Sequence, residues 1–452
     1  MTTTPRRSFL KTSAMLGGAA LVALPTTARS AASSNDRFRV AVVGLGGRGR
    51  VSHCGALLEM IKENVEIAAL CDCDESRMQL AASFCESKSG KRPALVADYR
   101  RLLEDKSIDG VALATPNHWH ALQTIWACQA GKDVYVEKPA SHNIFEGRQM
   151  IEAARKYQRI VQHGTQCRTS PKIREGIEKL QAGAIGRVYM ARGIAFKVRA
   201  GGRRKVEAVP AGMDWDAWVG PAPMEPYNKL AIGRWRFLKN YGNGEIGDQG
   251  VHQLDIIRWG LGLETHPTKV QSMGGRFAHP DDDEDTPGNQ VFACEYQGKE
   301  LMITFETRDW YTNSEAGMGI EYPFVDHRNV VGVIFIGSDG YMIFPDYSSY
   351  HTFLGPKRER GPSASVDGSP MMDLDQFQNW VAACRSRKYE ELTADIAQGH
   401  LSSCLAHLAN IAYATGRTLK FDSQKEVFTG DDEANRLLTR DYRSPYVVPG
   451  KV

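Results

Sequence analysis

The chain of 452 residues has no long hydrophobic run: its apolar stretch from Ala14 to Leu24 is too short to cross a bilayer comfortably. Nor has it a cysteine framework. Nine cysteines (Cys54, Cys71, Cys73, Cys85, Cys128, Cys167, Cys294, Cys384 and Cys404) are scattered, odd in number and without the paired two-residue gaps of a zinc site, so they read as buried thiols. There is no internal repeat and no low-complexity tract. With 42% hydrophobic and 24% charged residues the composition is that of a soluble globular protein, neither disordered nor fibrous. An excess of one charge is also lacking. Setting aside Arg6, Arg7, Lys11 and Arg29 leaves 52 basic against 53 acidic residues, a formal net charge of −1, and nothing in that balance attracts nucleic acid or an anionic membrane surface.

Those four charges belong to a separate segment. Arg6-Arg7-Ser8-Phe9-Leu10-Lys11, the apolar stretch and the small residues from Ala28 to Ala32 read as a twin-arginine export signal over residues 1–32, which is no part of the fold. It predicts recognition by the twin-arginine export machinery and a periplasmic location, with an uncleaved membrane anchor as the alternative. Unpaired thiols suit a chain that folds in the reducing cytoplasm before export.

What is present is organised around Phe38-Arg-Val-Ala-Val-Val-Gly-Leu-Gly-Gly-Arg-Gly49, an apolar run that stops at glycines in the G-x-G-x-x-G spacing. Gly44 permits a tight strand-to-helix turn, Gly46 lets the backbone approach a pyrophosphate, and Gly49 lets the helix pack close on a sheet. A second apolar run, Val65 to Leu70, leads to Asp72, which stands 23 residues past Gly49, where an acid can hold the ribose hydroxyls of NAD and repel the phosphate of NADP. Arg77 keeps NADP as the alternative. Further runs at Ala94 to Ala97, Gly110 to Ala114 and Val134 to Val136 alternate with helical segments near Val51 to Lys62, Glu75 to Ser87, His118 to Ala130 and Ile144 to Tyr157. That rhythm predicts a parallel, doubly wound sheet over residues 37–165, with ligands at the carboxyl ends of its strands. Two loops leave those ends with polar side chains, Thr115-Pro116-Asn117-His118-Trp119-His120 and Glu137-Lys138-Pro139.

The pattern then changes. After a helix at Ser170 to Ala182, alternating segments at Arg187 to Lys197, Lys269 to Arg276, Asn289 to Arg308 and Val330 to Phe344 predict a large, mostly antiparallel open sheet in an α/β domain over residues 166–370. Two hairpin turns are expected, at Gln297-Gly298 and at Ser338-Asp339-Gly340. The exposed face of such a sheet argues for a homo-oligomer. Asp281 to Asp285 lacks the spaced ligands of a calcium loop and reads as a solvated turn. Residues 371–452 begin with helices, from Met372 to Gly416, that are expected to return to the first domain.

Between them lies Gly247-Asp248-Gln-Gly-Val-His252-Gln-Leu-Asp255, which as a helix ending at Gly260 puts Asp248, His252 and Asp255 on one face. A histidine can take a proton near neutral pH and a carboxylate one turn away can orient its ring, yet the same spacing also suits a solvated face, and spacing alone does not choose. A lysine before a proline is usually a surface charge, but Lys138 stands at the carboxyl end of a strand in a nucleotide sheet, and that position favours a cation placed to stabilise a substrate oxygen. His118 and His120 lack companion ligands, so no metal site is expected.

Val42-Val-Gly-Leu-Gly-Gly-Arg-Gly49, Asp72, Thr115-Pro-Asn117 with His120, Glu137-Lys138-Pro139 and Asp248-x-x-x-His252 together resemble the Gfo/Idh/MocA oxidoreductase family over essentially the whole chain after the export signal. The resemblance implies an N-terminal Rossmann domain and a C-terminal α/β domain, catalytic roles for Lys138, Asp248 and His252, and cofactor contacts from Gly44, Gly46, Gly47, Arg48, Gly49, Asp72, Thr115, Pro116, Asn117, His120, Glu137 and Lys138. The expected activity is hydride transfer between tightly bound NAD and a secondary hydroxyl of a sugar, cyclitol or glycoside. The alternatives are a redox-neutral, NAD-dependent glycoside hydrolase and a non-catalytic sugar-binding protein with a structural dinucleotide. Substrate selection is expected from Arg199 to Lys205, Trp235-Arg236 and Trp310-Tyr311.

Overall fold

Phe38–Val43 (β1) forms the centre of the first sheet, and Val40, Ala41 and Val42 have no exposed surface. A strand covered on both faces has to be apolar on both, which is why this one reads as a continuous hydrophobic run instead of an alternation. With β2 (Val65–Cys71), β3 (Ala94–Val96), β4 (Gly110–Leu113), β5 (Asp133–Glu137) and β6 (Val161–Gly164) it builds a parallel sheet in the order β3-β2-β1-β4-β5-β6. The order reverses between β1 and β4, and the crevice opens at that switch point. The computed structural model describes residues 37–197, 199, 201–309, 329–366 and 372–452, and residues 38–452 form one unit.

Two elements of this half carry little sequence signal. The helix Tyr99–Glu104 is a short turn and a half started by Asp98, whose side chain accepts the Arg100 amide hydrogen at 2.9 Å. β6 has only four residues, and two of them, Gln162 and His163, are buried polar side chains.

One face of the sheet is covered by a helix supplied from far along the chain. Met372–Ser386 lays Phe377 flat on Tyr135, with ring centroids 4.2 Å apart, and drives Trp380 against Gly110, where an added Cβ would come within 2.9 Å of the indole. Replacing Trp380 by alanine would cost about 3–5 kcal/mol, because a ring of that size cannot be refilled by neighbours.

The second sheet has eleven strands: β7 (Val188–Lys197), β8 (Lys269–Gly275), β9 (Asn289–Glu295), β10 (Met302–Asp309), β11 (Asn329–Gly337), β12 (Gly340–Phe344), β13 (Ser349–Leu354), β14 (Glu359–Arg360), β15 (Ala364–Ser365), β16 (Leu419–Asp422) and β17 (Val427–Phe428). All its described pairings are antiparallel except β7 with β10. Both expected hairpins are present, with Gly298 at φ +71° in the first. The inner face, with Phe292, Phe305 and Phe335, packs on helices Pro171–Gln181, Val251–Gly260 and Ile396–Thr415.

The acidic run at Asp281 to Asp285 is a turn with Asp281 and Asp285 exposed, as expected, but Glu284 is buried and most of the acids are paired. Asp282 and Glu284 pair with Arg276, Glu284 also with Arg234, and Asp285 with Arg204, so nearby arginines consume the charge. All nine cysteines are free, eight of them buried and Cys73 half-buried. Among the described residues no helix is long and apolar enough to cross a membrane. The export segment and Trp310-Tyr311 lie outside the described residues.

Candidate active site

The glycine turn closes the carboxyl end of β1 against that of β4. Gly44 has φ +82°, and a Cβ there would lie 2.7 Å from the Ala114 carbonyl carbon. A Cβ on Gly49 would lie 1.9 Å from the Gly44 carbonyl oxygen, so the first helical turn sits directly on the loop. Gly46 and Gly47 are the opposite case: the nearest atom to a Cβ at Gly46 is Arg77 Nη1 at 3.7 Å, and Gly47 has no neighbour within 4 Å. Two glycines are thus required by the fold itself, and two leave backbone open to a ligand at a helix start.

The open pair faces a cleft of about 330 Å³, which Gly44, Arg48, Asp72, Thr115 and Pro116 also line. Asp72 follows β2 and accepts the Leu45 amide hydrogen at 2.6 Å and that of Asp74 at 3.0 Å. Burial raises its pKa, while those two amides favour the carboxylate and fix its orientation. The other half of the protein roofs this cleft. Asp214 N–H donates to the Cys73 carbonyl at 2.8 Å and Glu75 N–H to the Gly212 carbonyl at 2.9 Å, and behind these bonds Asp214, Ala217 and Trp218 line the cavity.

Asn117, His120 and Gly49 lie behind the cleft wall. Asn117 donates to Asn243 Oδ1 at 2.9 Å, and the His120 ring nitrogens sit 2.7 Å from the Pro139 carbonyl and 2.8 Å from that of Thr115. Both side chains leave the first turn of helix Asn117–Gln129 toward the interior, so they brace the two loops and do not face a ligand.

A second cavity of about 310 Å³ continues the first, with Arg48, Ala114, Thr115, Trp235 and Arg236 common to both walls. It gathers Glu137, Lys138, Asp248 and His252. Lys138 Nζ donates to Asp248 Oδ1 at 2.7 Å and to the Asp248 carbonyl at 2.6 Å. Arg236 Nε adds a bond to the same Oδ1 at 3.1 Å. Burial alone would raise the Asp248 pKa; Lys138, Arg236 and Lys197 outweigh it and hold the carboxyl below the usual range.

Asp248 therefore orients Lys138, and the expected bond to His252 is not made. His252 Nδ1 instead lies 3.8 Å from Cys167 Sγ. Burial, with Lys138 next in weight, lowers His252 to about 3, so the ring is neutral. The stretch around these residues is a wide turn, Ile246–Gly250, followed by helix Val251–Gly260. Asp255 stands on the same side as Asp248 but roughly 10 Å further along the helix axis. There it is buried in a bidentate pair with Arg168 (2.8 and 2.9 Å) and accepts from Ser402 at 2.7 Å, a structural role.

Arg48 ties the walls together. Its Nε donates to Glu137 at 2.7 Å, and its terminal nitrogens hold Asp373 at 2.8 and 2.6 Å. Glu137 also meets His53 Nε2 at 3.0 Å; burial pushes its pKa up, and Arg48 and His53 more than reverse this. Cys167, Tyr347 and Asp373 also line the cavity and have no sequence signal of their own. Cys167 and Gln166 would have come within reach had β6 been expected, since they leave its carboxyl end.

Residues 38–165 match the family model for the NAD-binding Rossmann fold of the Gfo/Idh/MocA oxidoreductases, and residues 181–287 and 364–448 match the model for its C-terminal α/β domain. The chain belongs to the Gfo/Idh/MocA oxidoreductase family. Its first domain is the NAD-binding Rossmann fold of that family. Among members, the levoglucosan dehydrogenase of Pseudarthrobacter phenanthrenivorans is 29% identical over 167 residues, 37% of this chain and 36% of that protein. A glycosyl hydrolase family 109 protein of Solibacter usitatus is 31% identical over 173 residues, 35% of this chain and 38% of that one. The matched part thus spans little more than a third of either relative. A solved levoglucosan dehydrogenase, in complex with NADH and levoglucosan, shares the family fold over 85% of this chain and 99% of its own, with TM-score 0.63 and 17% identity.

Proposed function

We propose that the protein moves a hydride between a tightly held nicotinamide dinucleotide, NAD in preference to NADP, and a secondary hydroxyl of a sugar, cyclitol or glycoside. The observation that carries this reading is the meeting of Lys138, Asp248 and His252 in a cavity continuous with the glycine-lined cleft. When bound, the nicotinamide ring accepts the hydrogen and electron pair of the substrate C–H bond.

The residues of the chain handle the proton and the oxygen. A neutral His252 that directs its Nδ1 hydrogen at the Cys167 sulfur presents the Nε2 lone pair to the hydroxyl proton. An ammonium group has three donors, and Lys138 spends two of them on Asp248, which leaves one for the substrate oxygen as negative charge develops there. Asp248 holds that ammonium in place. The Asp72 carboxylate suits free ribose hydroxyls and repels a 2′-phosphate.

The reading includes export. The twin-arginine route carries folded proteins, so a dinucleotide loaded in the cytoplasm can travel inside its site to the periplasm, and the roof over the cleft supports retention. With the cofactor retained, each hydride taken must be returned to a second substrate or to a later intermediate of the same one. The second case is a redox-neutral glycoside hydrolase, a reading favoured by the similarity to glycosyl hydrolase family 109 proteins. Adding a broad panel of sugars to the purified protein, without added cofactor, tests the proposal. Reduced nicotinamide absorbance supports hydride transfer, release of a chromogenic aglycone supports the hydrolase, and neither outcome leaves a sugar-binding protein with a structural dinucleotide.

A further inference from the structure

Resting on the oxidoreductase reading, we infer that Arg236 selects a carbohydrate that carries a carboxylate and holds that group in the cavity of Lys138 and His252.

Arg236 lines both the dinucleotide cleft and the catalytic cavity. Two contacts fix its guanidinium. The Nε hydrogen is spent on Asp248 Oδ1 at 3.1 Å, and the group lies over the Trp235 ring, 4.3 Å from its centroid. Its two terminal nitrogens make no hydrogen bond or ion pair with any described residue, although the side chain is only 38% exposed. Stacking and the Asp248 bond order the side chain before a ligand arrives, so little rotamer freedom is left to lose on binding.

The free edge of the guanidinium says what that ligand should be. Each acidic group of the cavity already has a cation: Glu137 and Asp373 have Arg48, and Asp248 has Lys138. Arg48 serves two of these acids, so Arg236 brings the lining to three cations against three acids, and what sets it apart is the outward edge of its guanidinium, which no described residue meets. A neutral sugar can offer that edge only uncharged hydroxyl oxygens, each accepting singly. A carboxylate meets two parallel N–H donors in one plane and forms the shorter, stronger charge-assisted pair. The diphosphate of the cofactor is the competing anion. It has the open backbone at Gly46 and Gly47 for its own site, and the test separates the two.

The experiment uses the purified full-length protein with its dinucleotide and matched probes: glucuronate against glucose, and galacturonate against galactose. Binding is read from the ligand-induced rise in melting temperature, and turnover from reduced nicotinamide. The acids should bind at least about 10-fold tighter than their neutral partners, with the preference shrinking as salt rises. Arg236→Gln should remove that preference with the extracted dinucleotide content unchanged, and Arg236→Lys, which keeps the charge without the fork, should restore part of it. Acids that bind no better than neutral sugars in the unaltered protein, including the case in which neither binds, overturn the inference without any variant. So does Arg236→Gln that lowers dinucleotide content and leaves sugar discrimination unchanged, since that assigns the residue to the cofactor. Tight, Arg236-dependent binding of acids with no reduction of the nicotinamide keeps the selectivity and rejects the hydride-transfer reading.

Discussion

Lys138 Nζ lies 2.7 Å from Asp248 Oδ1 and 2.6 Å from the Asp248 carbonyl oxygen, which pins the loop after β5 of the first sheet to the helical turn under the second. The pair is a joint between the two halves as well as a site. Lys138→Ala should lower kcat/KM for sugar oxidation about 10²- to 10³-fold, as expected when a donor to a developing oxyanion is lost. Lys138→Arg should not restore it, because a planar fork cannot make both Asp248 contacts and still point a donor at the substrate. Steady-state rates on a sugar found active in the panel, with dinucleotide content measured for each variant, check this.

The glycine turn separates fold from binding. Gly49→Ala puts a methyl group 1.9 Å from a backbone oxygen and should abolish soluble expression or cost several kcal/mol. Gly46→Ala meets nothing closer than the end of a flexible arginine at 3.7 Å, so the melting temperature without cofactor should stay near that of the parent while dinucleotide affinity falls at least about 10-fold. Calorimetry and fluorescence titration of the two variants test the contrast.

Most of this site was legible in the sequence, and the limits have physical causes. β1, β2 and the glycines are readable because a buried parallel strand and a positive-φ turn leave few residue choices. Asp248 and His252 are readable as a pair from helical spacing. Their partners are not: Asp248 binds Lys138 from 110 residues away, and Arg48 binds Asp373 from 325 away, contacts set by how the two halves dock. The same docking turns Asn117 and His120 inward, where loop chemistry alone suggests a ligand contact. β6 escaped because two of its four residues are polar side chains buried under the returning helices.

Acidification should destabilise the protein from neutrality downward. Burial lowers His118, His252 and His407 to about 3, and His163 and His400 to about 4, from an unfolded value near 6.5. A depressed folded pKa means the unfolded chain binds the proton first, so this stability is complete above 6.5 and is lost as pH falls toward 3 to 4, at about 1.4 kcal/mol per pH unit for each group. Glu146, raised by burial to about 7, and Asp309, raised by burial to about 6, act in the opposite direction over the same range. Five groups against two leave a net loss, and the melting temperature should drop by roughly 10 °C between pH 6.5 and 5. For the same reason the rate of sugar oxidation should show no acid limb near pH 6.5 from His252. A flat melting curve over that range would contradict the assignment of neutral buried rings.

Asp72 should set the cofactor. Asp72→Asn keeps an oxygen for the Leu45 amide but removes the negative charge, so discrimination against NADP should fall about 10-fold with little change in stability. Binding titrations with NAD and NADP on cofactor-stripped protein give the ratio directly. An unchanged ratio would move the selection to Arg77, whose Nε lies 3.5 Å from Asp74 Oδ2.

The central claim is a dinucleotide that is held in the roofed cleft and recycled there. The most direct measurement is mass analysis of the nucleotide extracted from protein purified from the producing cell and dialysed exhaustively, followed by a test of turnover with no cofactor added. The account predicts close to one NAD per chain after dialysis and turnover that adding NAD does not increase. Protein that emerges empty, and regains activity only when NAD is supplied, would contradict it.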